Sequence, residues 1–170
     1  MIPKKPALGL APRVADFSDK IMRKFKEIGR HMLSSRHQVT VEWGHCDPAG
    51  IVYFPNYFSY FDASTNALFL HALGFNKYEM LKKWDIVGIP LVDVGARFII
   101  PSVFGDVVTI ESTVVEIKRS SFRMQHRLLK GETLAVEGHE IRVWVGRDPA
   151  NPDKLKSKPI PQDVIMRLRG

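Results

Sequence analysis

Apolar positions along this chain keep two different rhythms. From Val14 to Leu33 the residues Val14, Phe17, Ile21, Phe25, Ile28 and Met32 recur at steps of three and four, the spacing that gathers side chains on one face of a helix. From His37 to Trp43 the period drops to two: Val39, Val41 and Trp43 alternate with Gln38, Thr40 and Glu42, as in a strand with one face buried. A helical rhythm returns past Pro55. Asn56 is placed to cap a helix running to about Leu73, with Gly74 as its stop. Phe58, Phe61, Leu68, Phe69 and Leu70 make that helix apolar over much of its circumference, so the rest of the domain is expected to wrap it. A short amphipathic helix follows around Lys77–Trp84.

The remaining core reads as strands. Ile89–Ile100, Val107–Lys118, Ser121–Leu129 and Thr133–Val145 are rich in Val, Ile, Thr and aromatics, with turn signals between them at Pro101–Asp106, Ser120 and Gly131-Glu132. Short connections predict antiparallel neighbours, hence a four-strand meander. The tail holds Pro149, Pro152, Pro159 and Pro161 and is expected to crawl over the surface before a last helical turn. One strand, one enclosed helix and a meander make an α+β domain, its antiparallel sheet curled around the helix. That places the domain at residues 37–146, between an N-terminal extension (1–36) with an extra amphipathic helix and a C-terminal tail (147–170).

Composition changes this picture little. The 170 residues are 45% hydrophobic and 25% charged, an ordinary globular balance with room for one domain. The net charge of +7 suggests nucleic acid until it is divided. Residues 1–36 carry nine Lys and Arg against three acids, residues 37–146 ten against twelve, and residues 147–170 six against three. The basic excess therefore sits at the two ends while the core is slightly acidic, the reverse of a groove that tracks a phosphate backbone. No nucleic-acid partner is expected. A basic helix over residues 14–33 raises membrane contact as an alternative to packing on its own domain or a sister subunit, but Asp16, Asp19 and Glu27 weaken it. A lone Cys46 fits a reducing compartment, the N-terminus lacks the apolar stretch of a signal peptide, and a cytoplasmic location is expected.

Candidate chemistry concentrates between the first strand and the enclosed helix, at His45, Cys46, Asp47, Pro48, Ala49 and Gly50. Asp-Pro-x-Gly is in itself good turn chemistry. A helix that begins just downstream adds free N–H groups and a positive dipole end, where a carbonyl is polarised and an oxyanion stabilised. An aspartate upstream is then placed to attack that carbonyl or to activate water. A Cys46–His45 dyad is disfavoured, because neighbours in extended chain face opposite sides. Six histidines without ligand spacing, and no glycine-rich phosphate loop, leave no metal and no cofactor expected.

The string W-G-H-C-D-P-A-G-I-V-Y-F-P-N-Y-F, Trp43 to Phe58, closely resembles the active-site segment of hotdog-fold thioesterases of the 4-hydroxybenzoyl-CoA thioesterase family. The resemblance extends in order to Asp62, Asp85–Val92, Lys118–Phe122 and His139–Val143, covering about residues 37–146. It implies hydrolysis of an acyl-CoA thioester. Asp47 matches the catalytic carboxylate, as nucleophile or as base toward water, and Phe54 the residue whose backbone N–H meets the thioester carbonyl. Asp62 matches the acceptor of a substrate ring hydroxyl; Tyr53 and Ile89 fall in the pocket wall. Lys118, Arg119 and Ser120 match the segment that meets the CoA phosphates, with Ser120 where a third basic residue is frequent. His45 stands where an acid is frequent, and residues 55–73 lack the Glu that another aryl-CoA type carries on this helix. The resemblance also implies a homodimer or homotetramer with sites at the dimer interface. A non-catalytic acyl-CoA-binding module and a thioesterase preferring aliphatic acyl groups are the alternatives.

Overall fold

The computed structural model describes residues 32–170. The arm and most of the helix expected over residues 14–33 lie outside them. Leu33, expected at that helix's end, instead runs beside the sheet: its N–H donates to Leu168 O at 3.0 Å and its carbonyl accepts from Val114 N at 3.1 Å.

Five strands form one antiparallel sheet: β1 (Ser34–Thr40), β2 (Leu91–Phe98), β3 (Val107–Ile117), β4 (Ser121–Lys130) and β5 (Thr133–Val143). Their order is β1-β3-β4-β5-β2, so the expected four-strand meander is only three strands long. β2 pairs with β5 at the far edge, and the segment between β2 and β3 is a crossover. It is held across the end of the sheet by Ile99 N to Ala135 O at 2.9 Å, Ser102 N to Tyr57 Oη at 3.1 Å and Gly105 N to Val41 O at 2.9 Å. Turn residues at Pro101 and Gly105 mark a change of direction but not the partner of the next strand.

The central helix α1 (Pro55–Leu73) lies on the sheet's concave face and ends at Gly74, whose φ of 79° ordinary side chains avoid. Its buried residues, Tyr57, Tyr60, Phe61, Ser64, Thr65, Leu68, Phe69 and Leu73, keep the three-four spacing of one face, while Ser59, Ala63 and Leu70 stay exposed. The helix is thus laid on the sheet rather than enclosed on all sides. It packs against Gly138, where the Phe61 ring leaves no room for a Cβ. Its N-cap position is Phe54; Asn56, expected as the cap, lies in the first turn and its Nδ2 donates to His45 O at 2.8 Å.

Two apolar clusters share this helix. Val41, Val52, Tyr57, Tyr60 and Phe61 pack with Val108, Ile110, Leu128 and Val136 near its start. Leu68, Phe69 and Leu73 pack with Phe122, Met124 and Trp144 near its end. Between them runs a layer of buried polar residues: Ser64, Thr65, Ser112, His126, Glu140 and Arg142. The second cluster is roofed by α2 (Lys77–Lys83) and α3 (Gln162–Arg169), the latter through Val164 and Leu168. The proline-rich tail is more ordered than expected: β6 (Val145–Asp148) and β7 (Asn151–Ser157) form a hairpin before α3. Among the described residues no helix is long and apolar enough to cross a membrane.

Candidate active site

The first strand ends earlier than its alternation suggests. Trp43–His45 turn into a single 3-10 element, which leaves Trp43 78% exposed instead of on the buried face with Val39 and Val41. The chain then doubles back in a tight hairpin. Asp47 N donates to Ile51 O at 2.9 Å, Gly50 N to Asp47 O at 2.9 Å and Tyr53 N to His45 O at 2.9 Å, with Cys46 bridged to Val52. The Asp-Pro-Ala-Gly turn and the candidate site are therefore the same residues. Asp47 is half-buried, and its Oδ1 accepts the Ala49 N–H at 2.8 Å, which holds the carboxylate against the turn.

The hairpin delivers the chain directly into α1. Pro55 has no N–H to offer, Asn56 N donates to Tyr53 O at 2.9 Å and Tyr57 N to Phe54 O at 3.2 Å. No acceptor among the described residues takes the Phe54 N–H. The free donor at the positive end of this helix is thus the main chain of the residue joined to Tyr53, whose own N–H is bonded two residues before Asp47.

His45 locks this arrangement. Its Nδ1 accepts from Glu42 N at 3.1 Å and from the Tyr60 hydroxyl at 2.8 Å, so in the neutral ring the proton sits on Nε2. Burial, reinforced by Tyr57, Cys46 and Glu42, pushes the Tyr60 hydroxyl up to about 12, which keeps it a donor. Where the family frequently has an acid, this chain has a latch between loop and helix.

Around the hairpin the surface is apolar. Trp43, Ile51, Tyr53, Phe54, Val103 and Phe104 are all exposed, and the Tyr53–Phe54 and Trp43–Phe104 rings meet edge-on with centroids at 5.3 and 5.7 Å. The apolar surface continues along β2 and the segment after it, through Leu91, Val92, Val94, Phe98, Ile99 and Ile100.

Asp62 lies one helical stretch further on, and it is neither buried nor unpaired. Its side chain is 43% exposed, with Oδ1 accepting from Arg142 Nη2 at 2.7 Å and Oδ2 from Asn66 Nδ2 at 3.0 Å. Arg142, 2% exposed, also donates through Nε to Glu140 Oε2 at 2.8 Å and through Nη1 to Ile89 O at 3.3 Å. Ile89 itself packs inside the second core cluster, so what this position offers toward Asp62 is its carbonyl, by way of Arg142. Burial would raise the Glu140 carboxyl, but His126 and the bond and charge of Arg142 outweigh it and hold it at about 2. Glu140 and Arg142 stand outside the expected site residues, although their signal is legible: both occupy inward positions of β5, in step with Val136, Gly138 and Trp144, where charges are rare unless paired.

The same layer holds residue types known from acyl-transfer triads. Ser112 Oγ lies 2.7 Å from His126 Nδ1, and His126 Nε2 3.6 Å from Glu140 Oε2. All three are fully buried, with Phe61 stacked on the imidazole at 4.7 Å, so no substrate reaches them. Lys118, Arg119 and Ser120 form the exposed turn between β3 and β4, at the root of the tail: Trp144 N donates to Ser120 O and Ile160 N to Arg119 O, each at 2.8 Å. No cluster among the described residues has the composition of a metal site.

A family model described as the thioesterase-like superfamily matches residues 41–168. The chain is 34% identical over 134 residues to 4-hydroxybenzoyl-CoA thioesterase of Pseudomonas sp. strain CBS-3, spanning 75% of this chain and 92% of that protein. A solved structure of a 4-hydroxybenzoyl-CoA thioesterase variant complexed with 4-hydroxybenzoyl-CoA superposes with a TM-score of 0.72 at 31% identity, covering 79% of this chain and 98% of the other. A gentisyl-coenzyme A thioesterase superposes at 0.66 with 34% identity, over 77% and 99%. Together these matches place the chain in a family: it is a member of the thioesterase-like superfamily, a hotdog-fold thioester hydrolase similar to 4-hydroxybenzoyl-CoA thioesterase.

Proposed function

We propose that this chain hydrolyses an aromatic acyl-CoA to the free acid and CoA, with Asp47 as its catalytic carboxylate and the Phe54 main-chain N–H as the donor to the thioester carbonyl. The observation that carries the reading is the unengaged Phe54 N–H at the head of α1, one residue past the hairpin that pins the Asp47 carboxylate. A carbonyl oxygen seated on that donor gains stabilisation as charge grows on it. Asp47 then either attacks the carbonyl carbon, expelling CoA thiolate and leaving a mixed anhydride that water opens, or takes the proton of an attacking water. Both routes end in acid and thiol.

Tyr53 and the exposed aromatic rim suit a flat ring, Asp62 a hydroxyl on it, and Lys118, Arg119 and Ser120 the CoA phosphates. The solved relatives named for hydroxybenzoyl and gentisyl esters support an aryl substrate. The remaining wall comes from a second copy. By register Val94 and Phe98 share the helix side of the sheet with Glu140 and Val136, yet both are exposed, and among the described residues β2 has an open edge. An uncovered apolar edge strand is an invitation to pair, and a two-fold partner along β2 would cover it beside the site.

Thiol release measured over a panel of aryl- and alkyl-CoA esters tests the reading. Turnover of ring-hydroxylated benzoyl esters above benzoyl and alkyl esters is expected, with that preference lost in Asp62→Ala. No thiol release from any ester would overturn the hydrolase assignment, and an alkyl preference would overturn its aromatic part.

A further inference from the structure

The route by which Asp62 is held carries a second residue into substrate choice. A carboxylate has about four acceptor positions, and the protein fills two of them, with Arg142 Nη2 at 2.7 Å and Asn66 Nδ2 at 3.0 Å. Each oxygen is clamped once and each keeps room for a further donor. A half-exposed aspartate without such clamps would rotate freely, and a ligand would have to order it on binding.

The clamp itself is anchored in the core. Arg142 is 2% exposed and cannot shed its proton, so its position is decided by what balances it. Glu140 does so from the same strand, fully buried, its Oε2 accepting Arg142 Nε at 2.8 Å and the Thr65 hydroxyl at 3.0 Å. Glu140 already offsets the guanidinium from the buried side, with His126 Nε2 3.6 Å from the same carboxylate oxygen, so Asp62 is left as the member of the trio open to solvent. Had Arg142 faced Asp62 alone, the pair would have been neutral and the aspartate a poorer acceptor. As an element of stability the buried pair has little to recommend it, since apolar residues of the same volume do as well or better. As a device that fixes an anionic acceptor at one surface point it has a clear purpose.

We propose that Arg142, balanced by the buried Glu140, is the positioning residue for Asp62 and thereby sets a preference for acyl groups that present a hydrogen-bond-donating hydroxyl. This rests on the reading above that Asp62 accepts such a hydroxyl. It adds that a folded chain lacking the clamp loses the preference even with Asp62 in place. The charge on Asp62 disfavours acyl groups ending in a carboxylate.

The test compares kcat/KM for 4-hydroxybenzoyl-CoA with that for benzoyl-CoA, in the full chain and three variants. Asp62→Ala reports whether the hydroxyl is read at all. The double variant Arg142→Met with Glu140→Gln removes both charges together, so no buried ion is left unpaired; should it fail to fold by circular dichroism, Arg142→Lys, which keeps the charge but not the forked geometry, takes its place. The ratio is expected to fall about tenfold in Asp62→Ala, the scale of one hydrogen bond to a charged group, and to fall most of that way in the Arg142 variant. A general loosening of the fold would lower both rates and leave the ratio where it was. A folded Arg142 variant that keeps the parent ratio, while Asp62→Ala loses it, overturns the positioning role and leaves the Asp62 reading standing. A ratio unmoved in Asp62→Ala overturns both.

Discussion

The two ends of the central helix solve opposite problems. At its C-terminal end, α2, α3 and Trp144 close over Leu68, Phe69 and Leu73, and these side chains are buried within the chain. At its N-terminal end the helix is met by a short polar turn, and Trp43, Tyr53, Phe54 and Phe104 are left exposed. Two tryptophans make the contrast: Trp144 is 1% exposed and Trp43 78%. Apolar area left uncovered on this scale marks a surface for interaction, and the proposal above assigns it to an acyl group and a second copy of the chain. The buried polar layer marks the border between the sealed end and the open end, to which the proposed chemistry is assigned.

Substitutions at the two ends should separate accordingly. The largest effect is expected from Asp47→Asn, which should lower thiol release by about 10²–10⁴-fold while its melting curve overlays the parent; near-parental turnover would remove Asp47 from the mechanism. Next is Trp144→Ala, expected to cost about 3–5 kcal/mol in urea unfolding because a large side chain is deleted from a sealed core. Val94→Lys puts a charge on the uncovered face of β2 and should shift the mass seen by light scattering from dimer to monomer, with the fold intact. A monomeric parent would break the argument for a second copy.

A subtler effect is expected at the border. Glu140 titrates at about 2 in the fold against an ordinary 4.5. Below 4.5 the unfolded chain takes up this proton first, so the stability it contributes is present above that pH and is lost as pH falls toward about 2. Glu140→Gln should flatten this part of the acid slope in urea midpoints measured across pH. Asp106 leaves some slope behind, since bonds from Lys130 and Val103 N overcome the effect of its burial and lower it as well. The smallest effect is expected from Trp43→Ala, within about 0.5 kcal/mol of the parent in stability; a larger loss would mean that the open end is also structural.

Much of this was legible beforehand where a pattern is local. The Asp47 loop, the extent of α1 to Leu73 and the alternation of β3, β4 and β5 follow from spacing that nearby residues alone dictate. The end of β1 is not legible in the alternation, because a tryptophan continuing it looks buried, whereas Glu42 and His45 bond back on one another and turn the chain there. The β6–β7 hairpin was hidden by prolines that suggested irregular chain.

What the sequence by itself determined, then, is the local chemistry: a turn that begins with a carboxylate, a helix that starts just downstream with its first-turn N–H groups, and strands whose period names an inner face. Only the tertiary structure decided which strands are neighbours, that β2 crosses to the far edge with its apolar side bare, and that Asp62, Arg142 and Glu140 meet. These depend on contacts between residues as many as 80 positions apart, and no rhythm along a chain encodes a partner at that distance; packing selects it when the sheet curls onto the helix.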